Sequence, residues 1–70
     1  MNLVAFTTDA RPYRGYLTQY INPDEVSSVE RNNSVDNPTE IKMRNGDVYH
    51  VKGWPDEAAL KLQAAKETKQ

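Results

Sequence analysis

The feature that most constrains the fold is the stretch Thr39–Val51, which reads TEIKMRNGDVYHV. Two short runs of alternating apolar and polar residues flank Asn45 and Gly46, and an Asn-Gly pair in this setting is the strongest short-range signal for a β-hairpin. Two turn lengths are compatible with this pair. A two-residue turn would place Ile41 opposite His50 and would divide the apolar residues between the two faces.

A three-residue turn gathers the apolar side chains on one face of the hairpin. In this register Arg44, Asn45 and Gly46 form the turn, Gly46 takes a left-handed backbone conformation, and Ile41 lies opposite Tyr49. One face then carries the residues best suited to a core, which are Ile41, Met43, Tyr49 and Val51. Because a sheet in a small domain needs one apolar face, the sequence predicts the three-residue turn.

Three more strands are predicted before the hairpin, at residues 3–8, 16–21 and 26–31, where β-branched and aromatic residues are frequent. Asn22 and Pro23 interrupt this series and predict a single helical turn or a type I turn. The last of these strands contains Val26 and Val29. Because these positions are an odd number of residues apart, their side chains would point to opposite faces of a regular strand. One of the two valines is therefore expected in the turn or in a β-bulge.

A helix is predicted after the hairpin. Pro55 suits the first helical position, and the two acids that follow it complement the helix dipole. The segment is rich in strong helix formers, and its apolar stripe consists of Ala58, Leu62 and Ala65. The sequence thus predicts an α+β fold, a twisted antiparallel sheet of about four strands with one C-terminal helix packed on it.

Length and composition bound the class of protein. The 70 residues predict one small domain, 1–70, with a thin stability margin, and the chain has no cysteine to brace it. Self-association is one way for such a domain to bury more apolar surface. A net charge of −1 argues against a protein that coats nucleic acid and against an acidic DNA mimic.

The sequence contains no run approaching a membrane span and no recognisable signal peptide, so we expect a cytoplasmic protein with no membrane association. Catalysis is not expected either. His50 is the single histidine, no nucleophile motif accompanies it, and the paired acids stand where helix starts favour them. We predict no catalytic residue, no metal site, no cofactor and no small-molecule substrate.

The segment Arg11–Tyr16 is the first candidate binding site. Its four relevant residues are Arg11, Tyr13, Arg14 and Tyr16. Arginines interleaved with tyrosines can stack on bases and pair with phosphates, and the same residue types are enriched at protein interfaces. The sequence leaves open whether this loop binds protein, binds nucleic acid or is an ordinary solvated loop.

Trp54 is the second candidate binding residue. Tyr20 is also predicted to take part in binding. Standing between the last strand and the helix, Trp54 either closes the end of the core by packing on Ala58 or is an exposed anchor for a partner. An exposed indole beside Tyr49 or Tyr20 would favour the second interpretation.

The order of these signals from Ile21 to Leu62 resembles a known pattern: an Asn-Pro turn, the run VSSVE, Ile41-x-Met43, Asn45-Gly46, the run YHVK, and a helix that opens with acids. This order is similar to that of the small β-rich flagellar proteins of the FlbD/SwrD type, and more loosely to half of a LytTR DNA-binding domain. The resemblance implies a fold and no catalytic residues. Trp54 stands where those families usually have serine or threonine, and the first 20 residues have no counterpart.

Together these observations predict a non-enzymatic small binding module. We expect a bacterial or phage accessory protein that modulates a larger protein partner. The alternative is a nucleic-acid-binding protein that uses the Arg11–Tyr16 loop, helped by Lys42, Arg44 and Lys52.

Overall fold

The computed structural model describes residues 3–9 and 16–67, and of Asp9 and Tyr16 it describes the backbone alone. Within these ranges there are five strands, a 3-10 turn and one helix. They are β1 (Val4–Asp9), β2 (Tyr16–Ile21), the 3-10 turn (Pro23–Glu25), β3 (Val26–Arg31), β4 (Thr39–Met43), β5 (Val48–Val51) and α1 (Pro55–Glu67).

The strands form two antiparallel sheets, which confirms the α+β class with one C-terminal helix. One sheet is the hairpin of β1 and β2, and the other has the order β3-β4-β5. The described strands therefore number five in two sheets, where the sequence predicted about four in one sheet. A backbone bond from Lys52 N to Thr7 O of 2.7 Å links the sheets, and Thr8 Oγ1 donates to His50 O at 3.1 Å.

The central hairpin has the predicted three-residue turn. Ile41 lies opposite Tyr49. Met43 N donates to Asp47 O at 2.8 Å, and Gly46 has a φ of 99°. The apolar face is confirmed, since Ile41 and Val51 are fully buried while Met43 and Tyr49 pack against them.

The conformation of Gly46 leads to a first testable prediction. A β-carbon at this position would have no neighbouring atom within 4 Å, so a substitution reports the backbone conformation alone. We expect Gly46→Ala to lower the free energy of unfolding by about 1–2 kcal/mol, because residues with a β-carbon resist positive φ. Urea denaturation measures the loss. Gly46→Asn is the comparison, since asparagine tolerates this region better and should cost less. An alanine variant as stable as the wild type would show that the turn has another form.

The segment before β3 forms as its residues predict. Asn22 caps the 3-10 turn by accepting from Asp24 N at 3.0 Å through its side-chain oxygen. The pairing of β3 with β4 shifts register between Val26 and Ser28. This bulge lets Val26 and Val29, despite their different parity, both pack against the core.

The core lies between the strands and one face of α1. Its buried apolar residues are Val4, Phe6, Ile21, Ile41, Val51, Ala58 and Leu62. The predicted helix stripe is confirmed, because Ala58 and Leu62 are buried and Ala65 packs against them. Because the stripe is narrow and rich in alanine, α1 covers only part of the sheet surface and leaves a groove beside β1.

Candidate binding surface

An open groove of about 420 Å³ lies between β1 and the start of α1. We call it the Trp54 groove. Its lining residues come from three separate parts of the chain and are Ala5, Phe6, Thr7, Lys52, Gly53, Trp54, Glu57, Ala58 and Lys61. Ala5 and Thr7 are exposed residues of β1, and Phe6 between them points into the core. The floor is thus the edge of the core, and the walls are a strand and a helix.

The backbone on either side of Trp54 fixes its place in the groove. Gly53 follows β5 with a φ of 92°, a conformation that favours glycine. The buried Thr39 holds this corner, because its hydroxyl donates to Gly53 O at 2.7 Å. On the other side Ala58 N donates to Trp54 O at 3.0 Å and begins the helical bonding of α1. Trp54 therefore stands on a corner that is held from both directions.

The indole of Trp54 is half exposed, since the residue retains 53% of its accessible surface. The Arg31 guanidinium lies over the ring, with its central carbon 5.5 Å from the ring centroid. Such cation–π contact orients both side chains at the surface. Of the two interpretations of Trp54, this exposure favours an anchor over a residue that closes the core. The side chain shown in contact with the indole is Arg31, however, whereas the sequence suggested Tyr49 or Tyr20.

Lys61 forms the opposite wall of the groove. Its Nζ donates to Ala5 O at 3.0 Å and lies 4.6 Å from the centroid of the Phe6 ring. The lysine therefore ties α1 to β1 and places a positive charge at the rim. Sequence reasoning missed Lys61 and Arg31, because both depend on contacts between distant segments that no local pattern records.

Tyr20 lies on β2, the strand that pairs with the β1 wall of the groove. It stands directly opposite Ala5 in the β1–β2 hairpin. Directly opposite residues share a face of the sheet, so the Tyr20 side chain lies on the same face of the hairpin as Ala5. Tyr20 is 65% exposed. Of the predicted binding residues, Trp54 thus lines the groove, whereas Tyr20 is exposed on the neighbouring strand and does not line it.

The other predicted site residues give no further geometry. Arg11, Tyr13 and Arg14 lie outside the described residues, and Tyr16 is described only as the first backbone position of β2. The Arg11–Tyr16 loop therefore stays a prediction.

The outer face of the three-stranded sheet carries a network of charges. Lys42 Nζ lies 3.5 Å from a Glu30 carboxylate oxygen and 3.6 Å from one of Glu40, and His50 Nε2 lies 3.1 Å from the second oxygen of Glu40. His50 is exposed, as one of the sequence interpretations expected. Because Lys42 is offset by two glutamates, it adds little to the positive field that nucleic acid would need.

No family model matches this chain. The curated proteins and the solved structures likewise give no match. The similarity to FlbD/SwrD-type and LytTR proteins therefore stays a prediction from the residues.

Among the described residues there is neither a group of metal-ligating side chains nor a helix that could span a membrane. Residues 3–9 and 16–67 contain no group of three or more histidine, aspartate or glutamate side chains placed to hold a metal ion. Over the same ranges, no helix has the length and apolar character that crossing a membrane requires.

Proposed function

We propose that this chain is a non-enzymatic protein-binding module whose contact surface is the Trp54 groove. The observation that carries the proposal is a half-exposed tryptophan, held at a rigid corner and covered on one face by an arginine. Tryptophan, tyrosine and arginine are the residues that most often dominate interface energetics. A side chain that is already ordered also loses less conformational entropy on binding.

The charges around the groove indicate what the partner presents. Arg31 and Lys61 lie on or beside the groove lining, against one acidic lining residue, Glu57. The partner segment therefore carries an apolar side chain that packs against Trp54 and acidic groups that face the basic rim. We further propose that the partner is a larger protein that this chain modulates, as a cytoplasmic accessory protein of a bacterium or phage.

The proposal predicts the effect of truncating Trp54. A tagged wild-type protein isolates the partner, and calorimetry then compares variants with that purified partner. We expect Trp54→Ala to weaken binding by at least about thirtyfold, because truncating a hot-spot residue costs about 2 kcal/mol or more. Leu60→Ala is the matched control, since Leu60 is an exposed apolar residue that does not line the groove. Its affinity should equal that of the wild type.

Circular dichroism establishes that both variants are folded before they are compared. Equal affinities of Trp54→Ala and wild type would contradict the proposal, as would a partner that Leu60→Ala loses and Trp54→Ala retains.

Nucleic-acid binding is the second candidate. The half-exposed Trp54 ring, with the Arg31 guanidinium above it, is an aromatic surface of the kind on which bases stack, which favours this candidate. The net charge of −1 opposes it. Titration with a single-stranded oligonucleotide separates the two proposals. Affinity that falls steeply with salt, and that Arg11→Ala combined with Arg14→Ala abolishes, would favour nucleic acid and the Arg11–Tyr16 loop.

A further inference from the structure

The strand β2 has one edge that no other described strand covers. It pairs with β1 on one side, and β3, β4 and β5 form a sheet of their own. An open edge presents unpaired backbone groups that can pair with another strand, and natural proteins usually protect it. This edge lies on the side of β2 away from the Trp54 groove, so strand pairing here is independent of the proposed function.

The pairing pattern identifies which residues present their backbone groups at this edge. Thr7 lies opposite Thr18, and Thr7 O accepts from Lys52 N on the far side of β1. Ala5 O likewise accepts from Lys61 Nζ, which lies outside the β1–β2 hairpin. Alternate pairs of an antiparallel ladder direct their backbone groups away from each other. Thr18 and its neighbours two positions away, Tyr16 and Tyr20, therefore direct N–H and C=O outward.

The free edge of β2 lacks the usual protection against pairing. Its sequence, YLTQYI, has no charged residue, no proline and no glycine. The outer edge of β3 differs, since this strand contains a bulge after Val26 and ends in Glu30 and Arg31. Bulges and charges are the devices that discourage edge-to-edge pairing. Of the edges of β2 and β3, that of β2 is the one suited to a second strand.

We infer that β2 pairs with β2 of a second copy of this chain, antiparallel and about a two-fold axis at Thr18. Thr18 of one copy lies opposite Thr18 of the other, and Tyr16 lies opposite Tyr20. In this register every outward N–H and C=O of the three residues finds a partner, giving about six backbone bonds. Because β2 has no charge, bringing two identical copies together causes no repulsion along the edge.

The burial of β2 supports a second copy as the occupant. Leu17 and Ile21 share a face, yet Ile21 is buried in the core and Leu17 is 50% exposed. In the two-fold register Leu17 lies opposite Gln19 of the second copy, which covers its apolar surface. A stable dimer buries at least about 1,200 Å² in total, more than one pair of short strands provides, so the dimer dissociates on dilution.

Single cysteines test the register, because the chain has no native cysteine. In a hydrogen-bonded pair the two Cα atoms lie about 5.5 Å apart, within the range of a disulfide. We expect Thr18→Cys to form a covalent dimer under mild oxidation several-fold faster than either of two controls. Tyr20→Cys places an exposed cysteine on the same strand but not opposite itself, and Ser27→Cys places one on the edge strand β3.

Charge reversal gives a second and independent readout. Light scattering on concentrated protein should detect a wild-type dimer that both Thr18→Lys and Thr18→Glu lose. An equimolar mixture of these two variants should recover it. The inference would be overturned if Thr18→Cys cross-linked no faster than the two control variants. It would also be overturned if the wild type were a monomer at every concentration. Dimers that persist in both charge variants would overturn it too, because the interface would then lie away from Thr18.

Discussion

Replacing Ile41 by alanine is expected to lower the free energy of unfolding by about 3 kcal/mol, because it removes a buried branched side chain and leaves a cavity. Ile41 is fully buried in the central strand of the three-stranded sheet and lies opposite both Val29 and Tyr49. A loss of this size lowers the melting temperature of a small domain by more than about 10 °C. Thermal unfolding followed by circular dichroism measures it.

A smaller truncation at the same position shows whether the loss of stability depends on how much buried side chain is removed. Ile41→Val deletes one methyl group and should cost about 1 kcal/mol, well below the alanine variant. If Ile41→Ala cost no more than Ile41→Val, the core would not be centred on β4, and the packing of Val29 and Tyr49 around Ile41 would be wrong.

The hairpin was predictable because its signals are local. Asn45 and Gly46 specify a turn, and the alternation around them permits only one register with a single apolar face. The bulge in β3 was predictable for a similar reason, since the parity conflict between Val26 and Val29 stands in the sequence. In each case residues close in the chain decide the structure.

The division into two sheets was not predictable, because it depends on contacts between distant segments. β1 is linked to the residue after β5 by the bond between Lys52 N and Thr7 O, and no local sequence pattern around either residue predicts this bond. The exposure of Leu17 is similar. Leu17 lies on the same face of β2 as the buried Ile21, but how much of that face is covered depends on packing across the whole domain.

The candidate site was predictable only in part, because some of its residues stand out in the sequence whereas the groove depends on contacts between distant segments. Trp54 stands out by its type and by its place before a helix, and Tyr20 by its place in a short strand. The groove itself arises where β1 meets α1, and Lys61 bonds to Ala5 from 56 positions along the chain. Only the folded structure brings such residues together.

Two valines of β5 provide a matched contrast between a buried and an exposed position. Val51 is 0% exposed and points into the core, whereas Val48 is 46% exposed and lies opposite Lys42 on the outer face. The substitution to alanine removes the same atoms at both positions and changes strand propensity equally. The difference between the two variants therefore reports burial alone, which is worth about 2 kcal/mol for a valine side chain.

Urea denaturation of Val51→Ala and Val48→Ala is the most direct test of the register on which the whole sheet depends. The three-residue turn predicts that Val51→Ala loses about 2 kcal/mol more stability than Val48→Ala. The two-residue turn reverses the faces of β5, because a slip of one residue moves every side chain to the other side. Equal losses, or a greater loss for Val48→Ala, would contradict the fold and the surfaces inferred from it.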